Sequence, residues 1–211
     1  AGVSLTLATV NPGEPEIFAS MQGEGPSAGR PCTFVRHSRC NLSCVWCDTA
    51  YTWRFEGDNR PHRDELAFER KANQLVLDEA DVAARIMALG QDRLVITGGE
   101  PAMYDLGPLF RSFQDEGFEV AIETSGAYAL TAFPDWICLS PKKFKSALPQ
   151  MLRMANELKV VVYHASDFAW AEEQALGVDT NCKLFLQPEF SRFDRIVPAL
   201  VDYVKEHPAW S

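Results

Sequence analysis

The 211-residue chain has no apolar run approaching the roughly 18 residues that span a bilayer, so no membrane-crossing helix is expected. Its first residues lack the basic, apolar and small-residue zones of an export signal, which points to the cytoplasm. No internal repeat, low-complexity tract or Gly/Ser linker divides it, and a single domain over 1–211 is expected. Positive charge is in deficit: 20 Lys and Arg stand against 29 Asp and Glu, for a formal charge of −9. That balance argues against nucleic acid or an anionic membrane as partner and favours a small-molecule substrate.

What is present reads as an α/β protein. Short runs rich in Val, Ile, Leu and Phe recur at Cys32 to Val35, Leu94 to Ile96, Val120 to Ile122, Trp136 to Leu139, Leu158 to Tyr163 and Leu184 to Leu186. Such runs suit strands buried on both faces. Between them, Val82, Ile86 and Leu89 before Gly90, and Leu106, Leu109, Phe110 and Phe113 before Gly117, have helical spacing and a stop signal. Ile196, Leu200, Val201 and Val204 mark a third helix. The alternation predicts about six mostly parallel strands, doubly wound or in an incomplete barrel, with the ligand site at their carboxyl ends. The stretch from Tyr51 to Asn73 breaks the rhythm and reads as an exposed insertion with partial helical character.

Three of the six cysteines, Cys40, Cys44 and Cys47, fall in a C-x3-C-x2-C loop directly after the first strong strand. In a reducing compartment such crowding favours metal ligation over disulfides. Three thiolates can hold three irons of a [4Fe–4S] cubane and leave the fourth open to another ligand. The alternative is a zinc-stabilised interaction module that recruits Cys32, His37 or His62 as fourth ligand. Cys32, Cys138 and Cys182 stand alone and read as small buried side chains.

Polar motifs follow the other strands. Thr97-Gly98-Gly99-Glu100-Pro101 closes one, with glycines that permit close backbone approach and a Glu that can accept from an ammonium. Met21-Gln22-Gly23-Glu24-Gly25 combines a carboxylate and an amide with permissive glycines. Arg36, at the end of the first core strand, can clamp a carboxylate through two parallel bonds. Ser140-Pro141-Lys142 and Gln187-Pro188-Glu189 end two later strands and should face one rim.

These motifs, together with Glu123-Thr124-Ser125-Gly126 and the run Cys-Asn-Leu-x-Cys-x-Trp-Cys-Asp-Thr, resemble the radical S-adenosylmethionine superfamily in its 7-carboxy-7-deazaguanine synthase (QueE) branch. The resemblance covers almost the whole chain. It implies a compact incomplete (β/α) barrel and conversion of 6-carboxy-5,6,7,8-tetrahydropterin to 7-carboxy-7-deazaguanine with release of ammonia, on the route to queuosine. A 5′-deoxyadenosyl radical would abstract a substrate hydrogen. Cys40, Cys44 and Cys47 would ligate the cluster, and Thr49 would bind Mg²⁺. S-adenosylmethionine would meet Trp46, Cys47, Asp48, Gly99, Glu100, Ser140, Pro141, Lys142, Gln187, Pro188, Glu189 and Phe190, and the pterin Met21, Gln22, Gly23, Glu24, Arg36 and Thr97. An electron donor such as flavodoxin or ferredoxin and a homodimer are further implications. The nearest rival enzyme, a glycyl-radical activating enzyme, shares the cysteine spacing but lacks the Met21 to Gly25 segment and Thr49. Relatives commonly continue past the equivalent of Trp210-Ser211 with a Ser-Leu-Gln-Thr-His-Lys-like segment, which implies that the substrate pocket is closed differently or by residues outside this chain.

Overall fold

A computed structural model describes residues 3–211. The described residues fold as two compact units, one of residues 3–123 and 130–135, the other of residues 124–129 and 136–211.

In the first unit, β3 (Pro31–His37), β5 (Arg93–Gly98) and β6 (Glu119–Thr124) run parallel, with Arg36 opposite Thr97 and Ile96 opposite Ile122. The middles of β5 and β6 are buried, and β3 buries Cys32, Thr33 and Val35, as apolar runs require of a sheet covered on both faces. Three antiparallel strands extend this set. β1 (Ser4–Ala8) pairs with β3 and with β4 (Gln74–Asp78), and β2 (Ile17–Met21) pairs with the first half of β3.

Between them, α1 (Arg70–Asn73) is a single turn. α2 (Glu79–Ala88) starts on Asp78, whose side chain accepts the Asp81 N–H at 2.8 Å. It buries Val82 and Ile86 and gives way to Gly90 at φ +70°. α3 (Gly107–Asp115) buries Leu109, Phe110 and Phe113, and Gly117 at φ +86° follows it.

The second unit carries β7 (Trp136–Leu139), β8 (Glu157–Val162) and β9 (Lys183–Pro188), again parallel. α4 (Pro149–Met154), α5 (Asp167–Ala175) and α6 (Phe193–Glu206) connect and cover them. The α/β class and the six parallel strands expected from sequence are those present: β3, β5 and β6 in one unit, β7, β8 and β9 in the other. On α6 the apolar stripe is displaced: Ile196 is buried and Leu200 and Val204 partly so, but Val201 faces solvent and Tyr203 takes its place. Tyr203 stacks on Phe168 of α5 at a centroid distance of 4.2 Å.

No helix of the described residues is long and apolar enough to cross a membrane.

Candidate functional site

Parallel strands bring their carboxyl ends to one edge, so the segments that follow β3 and β5 are neighbours. The cysteine loop leaves β3 through Arg39 at φ +73° and turns again at Ser43, φ +55°. Both are left-handed conformations that cost a non-glycine residue about 1–2 kcal/mol. The β3–β5 ladder continues into this loop: the Gly99 N–H donates to His37 O at 3.1 Å and the Glu100 N–H to Arg39 O at 3.0 Å.

The glycine pair is explained by this approach. A Cβ on Gly98 would lie 2.6 Å from the His37 carbonyl oxygen, and one on Gly99 would lie 2.1 Å from that of Arg39. Their small size therefore permits contact between two protein segments. Glu100, only 1 % exposed, also accepts the Ala102 N–H at 3.1 Å.

All three loop cysteines are free thiols. Burial pushes the Cys40 thiol up, while the Leu42 and Ser43 N–H groups aimed at its sulfur pull the other way. Amides directed at a buried sulfur favour its thiolate, the form a metal requires. Cys44 is buried and Cys47 half-buried, with Cys47 Sγ 3.5 Å from Thr49 Oγ1. Among the described residues no three His, Cys, Asp or Glu side chains gather tightly enough for one ion. With Zn–S bonds of about 2.3 Å, a tetrahedral zinc site draws its sulfurs to within about 4 Å of one another, whereas a cubane seats each thiolate on its own iron. Either group would draw on Cys40, Cys44 and Cys47. Of the candidate fourth zinc ligands, Cys32 and His37 are buried in β3, and His62 lies against the loop with its Nε2 on the Cys47 carbonyl at 2.8 Å.

The segment from 51 to 73 is less exposed than its composition led us to expect. It has one 3-10 turn, Ala50–Thr52, and the single turn of α1, but Trp53, Phe55 and His62 are buried and anchor it. Beside Cys40 it borders an open pocket of about 480 Å³ with Arg39, Trp53, Phe55, Arg60 and Arg70 among its walls.

A row of polar groups runs across the ends of β3, β5 and β6. Arg36 and Thr97 are register partners on β3 and β5, and Thr97 Oγ1 donates to Glu123 Oε2 on β6 at 3.0 Å. Gln22 Nε2 donates to the other Glu123 oxygen at 3.3 Å, and the buried Gln22 Oε1 has no partner among the described residues. Arg36 is already engaged: its Nε lies 3.3 Å from Glu16 Oε2 and its Nη1 donates to Gly98 O at 3.3 Å. Tyr51 Oη donates to the same Glu16 oxygen at 2.8 Å, and its pKa is raised chiefly by burial.

Of the pterin contacts expected from sequence, Gln22, Arg36 and Thr97 come together here. Met21, Gly23 and Glu24 are exposed around Gln22. Glu16, Tyr51 and Glu123 were missed as site residues. Glu123 carried a signal, since continuing the β5–β6 pairing by one residue sets it beside Thr97.

In the second unit, Ser140-Pro141-Lys142 and Gln187-Pro188-Glu189 sit at the carboxyl ends of parallel strands and so share an edge. The Ser140 N–H donates to Thr124 O at 2.8 Å, and Lys142 Nζ folds back on Ser140 O and Oγ, each at 2.9 Å. Glu189 is buried with its N–H on Val162 O at 2.9 Å, whereas Phe190 is 81 % exposed.

Comparison with known proteins agrees with this geometry. Residues 35–139 match the model of the Radical SAM superfamily. A 7-carboxy-7-deazaguanine synthase of Flavobacterium psychrophilum is 37 % identical over 195 residues, covering 92 % of this chain and 85 % of its own length. One from Synechocystis sp. is 36 % identical over 204 residues, covering 97 % and 90 %. The crystal structure of QueE from Escherichia coli superposes with a TM-score of 0.76 at 29 % identity, over 96 % of this chain and 91 % of that one. A three-cysteine loop after β3, a polar row at the strand ends and these relatives lead to one conclusion: the chain belongs to the 7-carboxy-7-deazaguanine synthase family of the radical SAM superfamily.

Proposed function

We propose that the chain converts 6-carboxy-5,6,7,8-tetrahydropterin to 7-carboxy-7-deazaguanine with loss of ammonia, as a radical SAM lyase. The observation that carries the substrate half is the row Arg36, Thr97, Glu123 and Gln22 at the strand ends. The buried Gln22 Oε1 lacks a donor, and the Glu123 carboxylate is an acceptor-only group. Together they suit the amino and ring N–H donors of an aminopyrimidinone, while Arg36 supplies the cation for the substrate carboxylate.

Cys40, Cys44 and Cys47 would hold a [4Fe–4S] cluster whose open iron takes S-adenosylmethionine, and the pair supplies one-electron chemistry when bound. Glu100, buried at the end of β5, would receive the methionine ammonium, with Gly99 keeping its backbone close to the loop. Trp46, Asp48, Ser140, Pro141, Lys142, Gln187, Pro188, Glu189 and Phe190 are the proposed contacts to the rest of that cofactor. Thr49 Oγ1, beside Cys47, would join an oxygen-rich Mg²⁺ site that retains several waters and orients the substrate carboxylate.

This reading takes 1–211 as one radical SAM domain, supported by a superfamily match that runs through residues of both units. It includes a protein electron donor of the flavodoxin or ferredoxin kind, a homodimer and a cytoplasmic location.

The test is anaerobic turnover. Reconstituted protein given the carboxy-tetrahydropterin, S-adenosylmethionine, Mg²⁺ and a reductant should yield the deazaguanine product. A loaded enzyme that cleaves the cofactor yet leaves this pterin untouched would overturn the substrate assignment.

A further inference from the structure

The stretch from Trp53 to Asp64 grips the cysteine loop at four points. Arg60 Nη1 donates to Cys40 O at 3.2 Å and to Ser43 Oγ at 2.6 Å. His62 Nε2 donates to Cys47 O at 2.8 Å, and the Arg63 N–H donates to Val45 O at 2.9 Å. The direction of the His62 bond follows from its other nitrogen: Nδ1 accepts the Asp64 N–H at 3.3 Å, which leaves the proton on Nε2.

We propose that residues 53–64 form a strap that holds the cysteine loop in its cluster-binding shape, with Arg60 and His62 as positioning residues. The proposal rests on reading the loop as the cluster site. Neither side chain bonds a sulfur in this arrangement; each bonds the carbonyl of a ligating cysteine, so each acts through the loop backbone.

The need for a strap is physical. Fixing backbone residues costs conformational entropy, and a loop left loose would meet that cost when the cluster is assembled. Ser43 adds a left-handed conformation in the middle of the loop, and Arg60 bonds the hydroxyl of that residue. The strap is itself secured. Arg60 Nε lies 2.9 Å from both Asp58 carboxylate oxygens, its guanidinium sits 4.8 Å from the Trp53 ring centroid, and that ring is 2 % exposed. His62 packs edge-on against the same indole at 6.1 Å.

Two measurements test this on the full chain: hydrogen–deuterium exchange of amides 40–47 without cluster, and the rate of iron release to a chelator from anaerobically reconstituted protein. Arg60→Met and His62→Leu keep apolar bulk but lose the donors, and each should speed loop exchange and iron release about tenfold, the equivalent of one net hydrogen bond. His62→Gln, which can return an N–H to Cys47 O, should recover most of the loss, and Arg60→Lys part of it.

Unchanged exchange and release in both Met and Leu variants overturns the strap, as do Gln and Lys variants no better than Leu and Met. Should those variants fail to fold, Asp58→Asn leaves Arg60 in place without its orienting charge. An intermediate acceleration then supports the proposal, and none overturns it. A wild-type chain that takes up no cluster would sink the reading of the loop, while the exchange data still decide the strap.

Discussion

Glu16 Oε2 lies 3.3 Å from Arg36 Nε, so the cation assigned to the substrate carboxylate is already neutralised before substrate arrives. The incoming carboxylate must share Arg36 with Glu16, whose oxygen forms an ion pair with a buried Nε that makes no hydrogen bond among the described residues. Arg36→Ala should lower kcat/KM by about 2–4 kcal/mol, since stranding one member of a largely desolvated charge pair costs that much. Iron content and S-adenosylmethionine binding should stay near wild type. Because the pair is in contact, Arg36→Ala and Glu16→Gln should be non-additive in a double-mutant cycle. Normal turnover by Arg36→Ala would return the residue to a structural role.

Cysteine replacements should divide cleanly. Cys40→Ala, Cys44→Ala and Cys47→Ala each remove one of three anchors and should abolish cluster assembly, read as iron, sulfide and visible absorbance. Cys32, Cys138 and Cys182 should be dispensable. Cys32 and Cys138 are buried in β3 and β7, and Cys182 precedes β9, so none of the three lies in the loop. Cluster loss in Cys182→Ala would refute this division.

Gly99→Ala adds one methyl where the Arg39 carbonyl oxygen is 2.1 Å away. Backbone cannot yield as a side-chain tip can, and a stability loss of about 2–4 kcal/mol is expected in urea unfolding, together with reduced cluster occupancy. Gly23→Ala, with nothing within 4 Å of the added carbon, is the control and should leave both unchanged.

Glu100→Gln should weaken S-adenosylmethionine binding by about 1–3 kcal/mol, the value of a charged partner in a buried site. Its amide oxygen can still accept the Ala102 N–H, so the turn after β5 should survive. Calorimetry or equilibrium dialysis under anaerobic conditions gives the number, and an unchanged affinity would remove Glu100 from the cofactor site.

Complete burial pushes His37 down from 6.5 to about 4, against a smaller upward pull from the Thr6 backbone. The folded chain keeps the ring neutral where the unfolded chain takes up a proton. Stability from this source is therefore fully present above about pH 6.5 and drains away as pH falls toward 4, by up to about 3 kcal/mol. His37→Leu should flatten that part of the profile in urea unfolding of cluster-free protein. A parallel profile for parent and variant would contradict the assignment.

Much of the site was legible because its residues announce themselves locally. The cysteine spacing, the glycine pair and the strand-ending motifs are short runs fixed by one turn or one strand end. The antiparallel additions were not legible. β2 is five residues of mostly exposed side chains, and its pairing with β3 owes more to the connecting turn than to any apolar pattern. Glu16 and Tyr51 escaped notice because their meaning is tertiary: one carboxylate joins a strand-end guanidinium to a phenol 35 residues away. Trp53, Phe55 and His62 were read as part of an exposed insertion because they lack periodicity, though each is an anchor.

The ladder that runs on from β3 and β5 through Gly99 and Glu100 ties metal chemistry to strand alignment. A slip of β5 by one residue would turn Thr97 to the opposite face and move the glycines from beneath the loop. A misaligned sheet would then present a side chain where the Arg39 carbonyl must pass, and the three thiols could not take their places. The same backbone bonds thus set both the pairing of the two central strands and the course of the cysteine loop.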